Sequence, residues 1–214
     1  MVPRYVHLGL AAAVTPEIAK IPLIPTPPDV ATLTADASAE IARFDQEIGG
    51  EMGSFTSIIL RSESASSSEI ESLSAGADEI SLAEIANVDP NSNAALIAAN
   101  TSAMRRAIEL ADRLDGDSII AMHEALLVNH RPEWTGKWRT GQVRIGGATL
   151  NLARFVPPHP DRVPAAMDGL VRFIQRDDLA VFEQAAVAHA HFETVHPFPD
   201  ENGRTGRSLI HAMM

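Results

Sequence analysis

A chain of 214 residues is long enough to bury a core without staples and fits one domain, or one domain with a helical extension. It has no cysteine, which excludes disulfides, thiolate nucleophiles and zinc–thiolate sites and fits a reducing, cytoplasmic setting. A formal net charge of −11 repels phosphate backbones, and no apolar run approaches the length of a membrane helix, so neither nucleic acid nor a membrane is expected as a partner.

The apolar patch at Leu8–Val14 behind Arg4 is short, has no persuasive cleavage site and is read as mature protein. Ile21–Asp29 (IPLIPTPPD) is proline-rich and extended, either a solvated linker or a strap on the core. From Thr34 a helical period sets in, with Ile41, Phe44 and Ile48 on one face and Gly49-Gly50 as a stop. Ser54–Arg61 reads as a helix with Phe55, Ile58 and Ile59 inward, and a serine cluster leads to a short helix around Ser68–Ser72. Pro90 and Ser92 open a longer helix ending near Leu114, and Asp117 caps Ser118–Val128. Arg139–Ile145 and Asn151–Val156 form two expected strands around Gly146-Gly147. Pro164 suits the first turn of a helix carrying Met167, Leu170, Val171 and Ile174, and Leu179–Val195 is a further, alanine-rich helix. The fold class is therefore mainly α with one hairpin. Residues 1–50 are expected to form an N-terminal strap and helix, and residues 51–214 the core.

Chemistry concentrates at His196–Arg207, HPFPDENGRTGR. A helix ends at Val195, a tight loop follows, and a new helix starts near Gly203. Its unpaired N–H groups and dipole make an anion site. Gly203 lets a phosphate approach the backbone, Asn202 can donate to it, and Arg204 and Arg207 sit one turn apart on one face. Asp200 offers a hard oxygen for Mg²⁺, which commonly shares one or two carboxylates with substrate phosphates. His196, at the loop entrance, suits proton abstraction near neutrality. If this chain handles a nucleotide, it does so without a P-loop. Lysines are confined to Lys20 and Lys137, and Lys137 is followed by Trp138 where Ser or Thr is needed.

The segment resembles the Fic signature HxFx(D/E)GNGRxxR, with Glu201 in place of the glycine after Asp200, a step whose torsions glycine adopts more readily. The resemblance implies a Fic-type helical bundle and transfer of AMP from ATP to a Tyr, Ser or Thr hydroxyl of a target protein. His196 would be the general base and Asp200 the Mg²⁺ ligand. Asp200, Glu201, Asn202, Gly203, Arg204 and Arg207 would form the nucleotide site. Trp138–Pro158 is similar to the family's flap hairpin, an edge on which an extended target segment docks by main-chain pairing. Family members usually continue with another helix, so the core reads either as a fragment ending at Met214 or as a short variant. The target's identity is left open, as is a homo-oligomer.

Ser67–Glu71 (SSEIE) fits the (S/T)xxxE pattern of the family's N-terminally inhibited class, in which the glutamate pairs with the second motif arginine, here Arg207. Ser72 follows where Gly or Asn is usual. The same residues also read as a capping box, Ser68 with Glu71. Two rival functions keep the site: removal of AMP by water oriented on Glu71, and a non-enzymatic nucleotide-binding regulator. Phosphate or phosphocholine transfer is disfavoured by the intact glycine and second arginine. His189, His191 and His196 do not make an established metal spacing. His123-Glu124 begins a zinc-protease pattern that Leu127 breaks, so His123 is a partly buried helix residue, and Trp134 and Trp138 are packing residues.

Overall fold

The computed structural model describes residues 5–7, 10–22, 26–48 and 55–214. Among the described residues, eight α-helices carry the fold: α1 (Pro28–Ile48), α2 (Thr56–Glu69), α3 (Ala77–Ile85), α4 (Asn93–Glu109), α5 (Gly116–Leu127), α6 (Val163–Ile174), α7 (Val181–Val195) and α8 (Asn202–Met213). Among the described residues the strands are β1 (Tyr5–His7) and β2 (Leu10–Ala12), an antiparallel pair in which Val6 faces Ala11.

α4 is the hub: α2, α3, α5 and α8 all pack on it, while α6 and α8 flank α7. The main core joins Ile119 and Met122 of α5, Met167, Leu170 and Phe173 of α6, Phe192 and Val195 of α7, Leu209 of α8 and the loop residue Phe198, all essentially buried. α6 supplies its share through the predicted spacing of Met167, Leu170 and Ile174. Ser92 caps α4 by accepting the Ala95 N–H at 3.2 Å. The cap of α5 is Asp115, not Asp117: its carboxylate takes the Ser118 N–H at 2.8 Å, because the helix begins at Gly116 and its cap must be the extended residue before it.

The flanks of the proline-rich stretch lie on the core. Ile18 is buried in the cluster that includes α6, and the Ile21 carbonyl accepts from Arg176 at 2.8 Å. Thr26 donates to Glu183 on α7 at 2.5 Å. Helix α1 starts at Pro28, six residues before the onset expected at Thr34, since proline is well tolerated in a first turn. Gly49, Gly50 and Ser54 fall outside the described residues. The inward faces expected farther along are not realised. Phe55, Ile58 and Ile59 are exposed, as are Ile41 and Phe44 of α1, because helical period marks an apolar face without supplying a surface to cover it.

The predicted strand pair over residues 139–156 is reduced to one antiparallel bridge. Ile145 N–H donates to the Phe155 carbonyl at 2.9 Å, and Phe155 N–H returns to Ile145 at 3.2 Å. Gly146 and Gly147, at φ +67° and +73°, turn the chain as expected, and a Cβ on Gly147 would lie 2.2 Å from the Leu152 carbonyl oxygen. The ladder stops there because a 3-10 turn at Leu150–Leu152 takes up the start of the second strand.

Candidate active site

α7 delivers His196 and α8 receives the chain six residues later. His196 caps α7 in the left-handed region (φ 50°, ψ 63°), with its N–H on the Phe192 carbonyl at 2.8 Å. This reverses the chain so that Phe198 drops into the core. His123 of α5, wholly buried, stacks flat on Phe198 at 3.7 Å, and its Nε2 lies 3.3 Å from the Asp200 carbonyl oxygen. The His123 pKa is pushed down to about 4, chiefly by burial. Sequence reasoning placed His123 on a helix as a partly buried residue; it is fully buried. Its apolar companions Ile119, Met122 and Leu126 were the available sign that it faces inward, yet nothing local announced that it props the loop.

Asn202 is also a prop. Its Oδ1 accepts the Phe198 N–H at 2.9 Å and its Nδ2 donates to the Phe198 carbonyl at 3.0 Å. The amide expected on a phosphate is thus engaged in holding the loop closed. Asp200 is exposed, with Oδ1 taking the Glu201 N–H at 2.9 Å. No cluster of three His, Cys, Asp or Glu suited to a metal occurs among the described residues, so a cation here would share Asp200 with phosphate oxygens, as Mg²⁺ commonly does.

Both motif arginines are held by carboxylates. Glu201 caps α8 at φ 60°, a left-handed conformation that glutamate adopts only at a cost. Its side chain forks onto Arg204, with Oε2 accepting from Nε at 2.5 Å and Oε1 from Nη2, while Arg204 Nη1 donates to the Leu96 carbonyl of α4 at 2.9 Å. The Arg204 side chain is 2% exposed and that of Glu201 13%.

Arg207 meets the end of α2. Its Nη2 donates to Glu71 Oε1 and Oε2 at 2.6 and 2.7 Å, its Nε to the Ser67 hydroxyl at 2.7 Å, and Nη2 also to the Ser67 carbonyl at 3.1 Å. The capping-box reading does not hold, because Ser68 lies in the last turn of α2 and not at a helix start. The helix ends in a Schellman arrangement: Leu73 N–H reaches back to the Ser68 carbonyl and Ser72 N–H to Glu69. Ser72 takes φ 63°, the conformation for which Gly or Asn is the usual residue. That turn aims Glu71 at the start of α8. A Cβ on Gly203 would lie 2.7 Å from Glu71 Oε1 and 3.1 Å from Arg207 Nη1, so glycine there leaves room for the carboxylate.

His196 is about one-fifth exposed, with Nδ1 3.8 Å from Glu193. Burial holds its pKa below the usual histidine value; Glu193 and Asp200 pull upward and Arg139 downward. A neutral imidazole close to Asp200 and ahead of the α8 N-terminus can take a proton from a hydroxyl approaching a phosphate bound there. The structure thus gathers His196, Asp200, Gly203, Arg204, Arg207, Ser67 and Glu71 around one helix start. Residues 113–214 match the Fic/DOC family. Over 106 residues (48% of this chain, 20% of the relative) the sequence is 35% identical to protein adenylyltransferase fic-1 of Caenorhabditis elegans. Over 63 residues (29% and 20%) it is 38% identical to a probable protein adenylyltransferase of Aquifex aeolicus. The chain thus spans about a fifth of the length of these curated relatives. In fold it is similar to a Fic family protein from Desulfovibrio desulfuricans G20, with TM-score 0.71 and 22% identity, covering 90% of this chain and 59% of that one. It also resembles Fic-1 (residues 134–508) of C. elegans, with TM-score 0.60 and 22% identity, covering 88% and 59%.

Proposed function

We propose, from the match of residues 113–214 to the Fic/DOC family and the likeness to curated protein adenylyltransferases, that this protein transfers AMP from ATP to a Tyr, Ser or Thr hydroxyl of a target protein and is held in check by Glu71. One observation carries the reading. The Glu71 carboxylate lies over Gly203 at the start of α8, paired with Arg207, where the helix terminus favours an anion.

ATP would lay its phosphates along the α8 terminus, with Arg207 on the terminal phosphate once Glu71 withdraws and Arg204 beside them once Glu201 yields. The target hydroxyl oxygen bonds to the α-phosphorus, the bond from that phosphorus to the bridging oxygen breaks, and pyrophosphate leaves. His196 receives the hydroxyl proton. Its pKa below the usual value keeps it unprotonated at neutral pH, as a base must be. Asp200 would hold Mg²⁺ with the phosphates; when bound, the ion neutralises charge developing on phosphate oxygens. Asn202 and His123 act through the loop, keeping His196 and Asp200 in register. The segment around the Ile145–Phe155 bridge would serve as the flap, with the target's backbone pairing along it.

Incubation with ATP labelled at the α-phosphate, Mg²⁺ and cell lysate tests the reading. Label should pass to protein, more strongly with Glu71→Gly and not at all with His196→Ala. The ion pair that Glu71→Gly removes is worth about 1–2 kcal/mol, or roughly 5- to 30-fold in rate. Release of AMP from pre-modified protein without ATP would replace transfer by hydrolysis, and label retained with His196→Ala would refute the base.

A further inference from the structure

Within the proposed active site, no carboxylate among the described residues hydrogen-bonds the His196 imidazole: Glu193 lies 3.8 Å from Nδ1, and the contact that remains is with the Glu193 backbone. A general base that must meet a hydroxyl within hydrogen-bond reach is ordinarily oriented by such a partner. Here orientation comes from the main chain, and the side chain that bonds the Val195 and His196 carbonyls is Arg139.

Arg139, only 3% exposed, donates from Nε to the His196 carbonyl at 2.8 Å and from Nη2 to the Val195 carbonyl at 3.3 Å. Its own N–H donates to the Pro197 carbonyl at 2.8 Å. The remaining arms reach the Gly141 carbonyl at 3.0 Å and the Pro158 carbonyl at 2.6 Å, at either end of the segment bearing the Ile145–Phe155 bridge. Every acceptor is a carbonyl and none is a carboxylate. Burial pushes the Arg139 pKa down to about 10, still well above neutrality, so a full cation sits at the C-terminus of α7, where orphan carbonyls and the helix dipole favour it. Only a planar guanidinium can serve so many divergent carbonyls at once; an ammonium has three donors on one point.

We propose that Arg139 is the positioning residue for His196: its fork holds residues 195–197 in the left-handed turn that presents the imidazole and ties both ends of the flap segment to the same turn. The charged groups near His196 are Glu193 on α7, Asp200 in the loop and Arg139, with His123 of α5 behind Phe198. Of the three that bear on its protonation, Arg139 alone opposes the proton.

The test uses Arg139→Lys and Arg139→Gln, each also combined with Glu71→Gly for the rate measurements. Arg139→Lys should fold and keep its KM for ATP while kcat for AMP transfer falls by at least roughly tenfold, since small misplacements of a base cost that much or more. Arg139→Gln removes the opposing charge, so the His196 titration followed by NMR should move up, and the acid limb of kcat should move to higher pH with it. A role in stability alone would lower Tm but leave the His196 titration and the acid limb in place. An unmoved titration with Gln, or a wild-type kcat with Lys, overturns the proposal, as does failure of both variants to fold. The NMR titration needs no turnover. If the Glu71→Gly protein transfers no AMP, the proposed reaction fails while the grip on His196 is still decided.

Discussion

Glu201 stands where the family signature has glycine, and its replacement by glycine has a calculable consequence. The substitution removes the carboxylate from a pair whose arginine is 2% exposed. Breaking a buried ion pair from one side costs about 3–5 kcal/mol, because the remaining charge is left uncompensated. Glycine returns about 1–2 kcal/mol by relieving the left-handed torsion at φ 60°. The mid-range net is a loss of about 2–3 kcal/mol, or roughly 4–12 °C in Tm for a chain of this size. ATP should recover part of it, since a phosphate can take the place the carboxylate vacated at Arg204. The assay is thermal unfolding of wild type, Glu201→Gly and Glu201→Gln with and without Mg-ATP. The expected pattern is a lower Tm without nucleotide for both variants and a larger upward shift with ATP than in wild type. Glu201→Gln, which keeps the torsional cost, should start no higher than Glu201→Gly. Variants that melt with wild type and respond equally to ATP would refute the claim that Arg204 is occupied by Glu201.

Glu71→Gln should raise AMP transfer as Glu71→Gly does, because charge and not helix propensity holds Arg207; equal transfer by wild type and both variants, with all three folded, would remove the brake. Arg207→Ala should not mimic activation, since the terminal phosphate then loses its arginine, and a rate above that of Glu71→Gly would contradict the pairing. His196→Ala should bind ATP as wild type does in a direct titration, since the imidazole acts on the hydroxyl and not on the phosphates. His123, held at about 4 in the folded protein against about 6.5 unfolded, takes up its proton on unfolding between those values, so stability is full above the upper pH and declines as pH falls toward the lower. Urea unfolding in EDTA should lose about 2 kcal/mol between pH 7 and pH 5, and His123→Phe should lessen that loss.

Local rules were enough for part of this molecule. The Ser92 cap, the apolar spacing of α6, the break at His196 and the new helix at residue 202 are each written in a few neighbouring residues, as are the types of side chain gathered in HPFPDENGRTGR. Those features depend on torsions and spacings along one stretch of chain, which a sequence displays directly. Whether Glu71 capped its own helix or reached Arg207 was not local, because Ser67–Glu71 allowed both and the choice fell to the Schellman turn at Ser72 and the approach of α2 to α8. The same holds for the exposed Phe55 and Ile58, whose period promised a buried face, and for the hairpin that shrank to the Ile145–Phe155 bridge. Arg139 and His123 are the clearest cases. Each bonds carbonyls far away in sequence, and a carbonyl is present at every residue, so nothing in the letters distinguishes the ones that matter. Tertiary packing alone decided which carbonyls they met, and so made a loop arginine and a core histidine supports of the site.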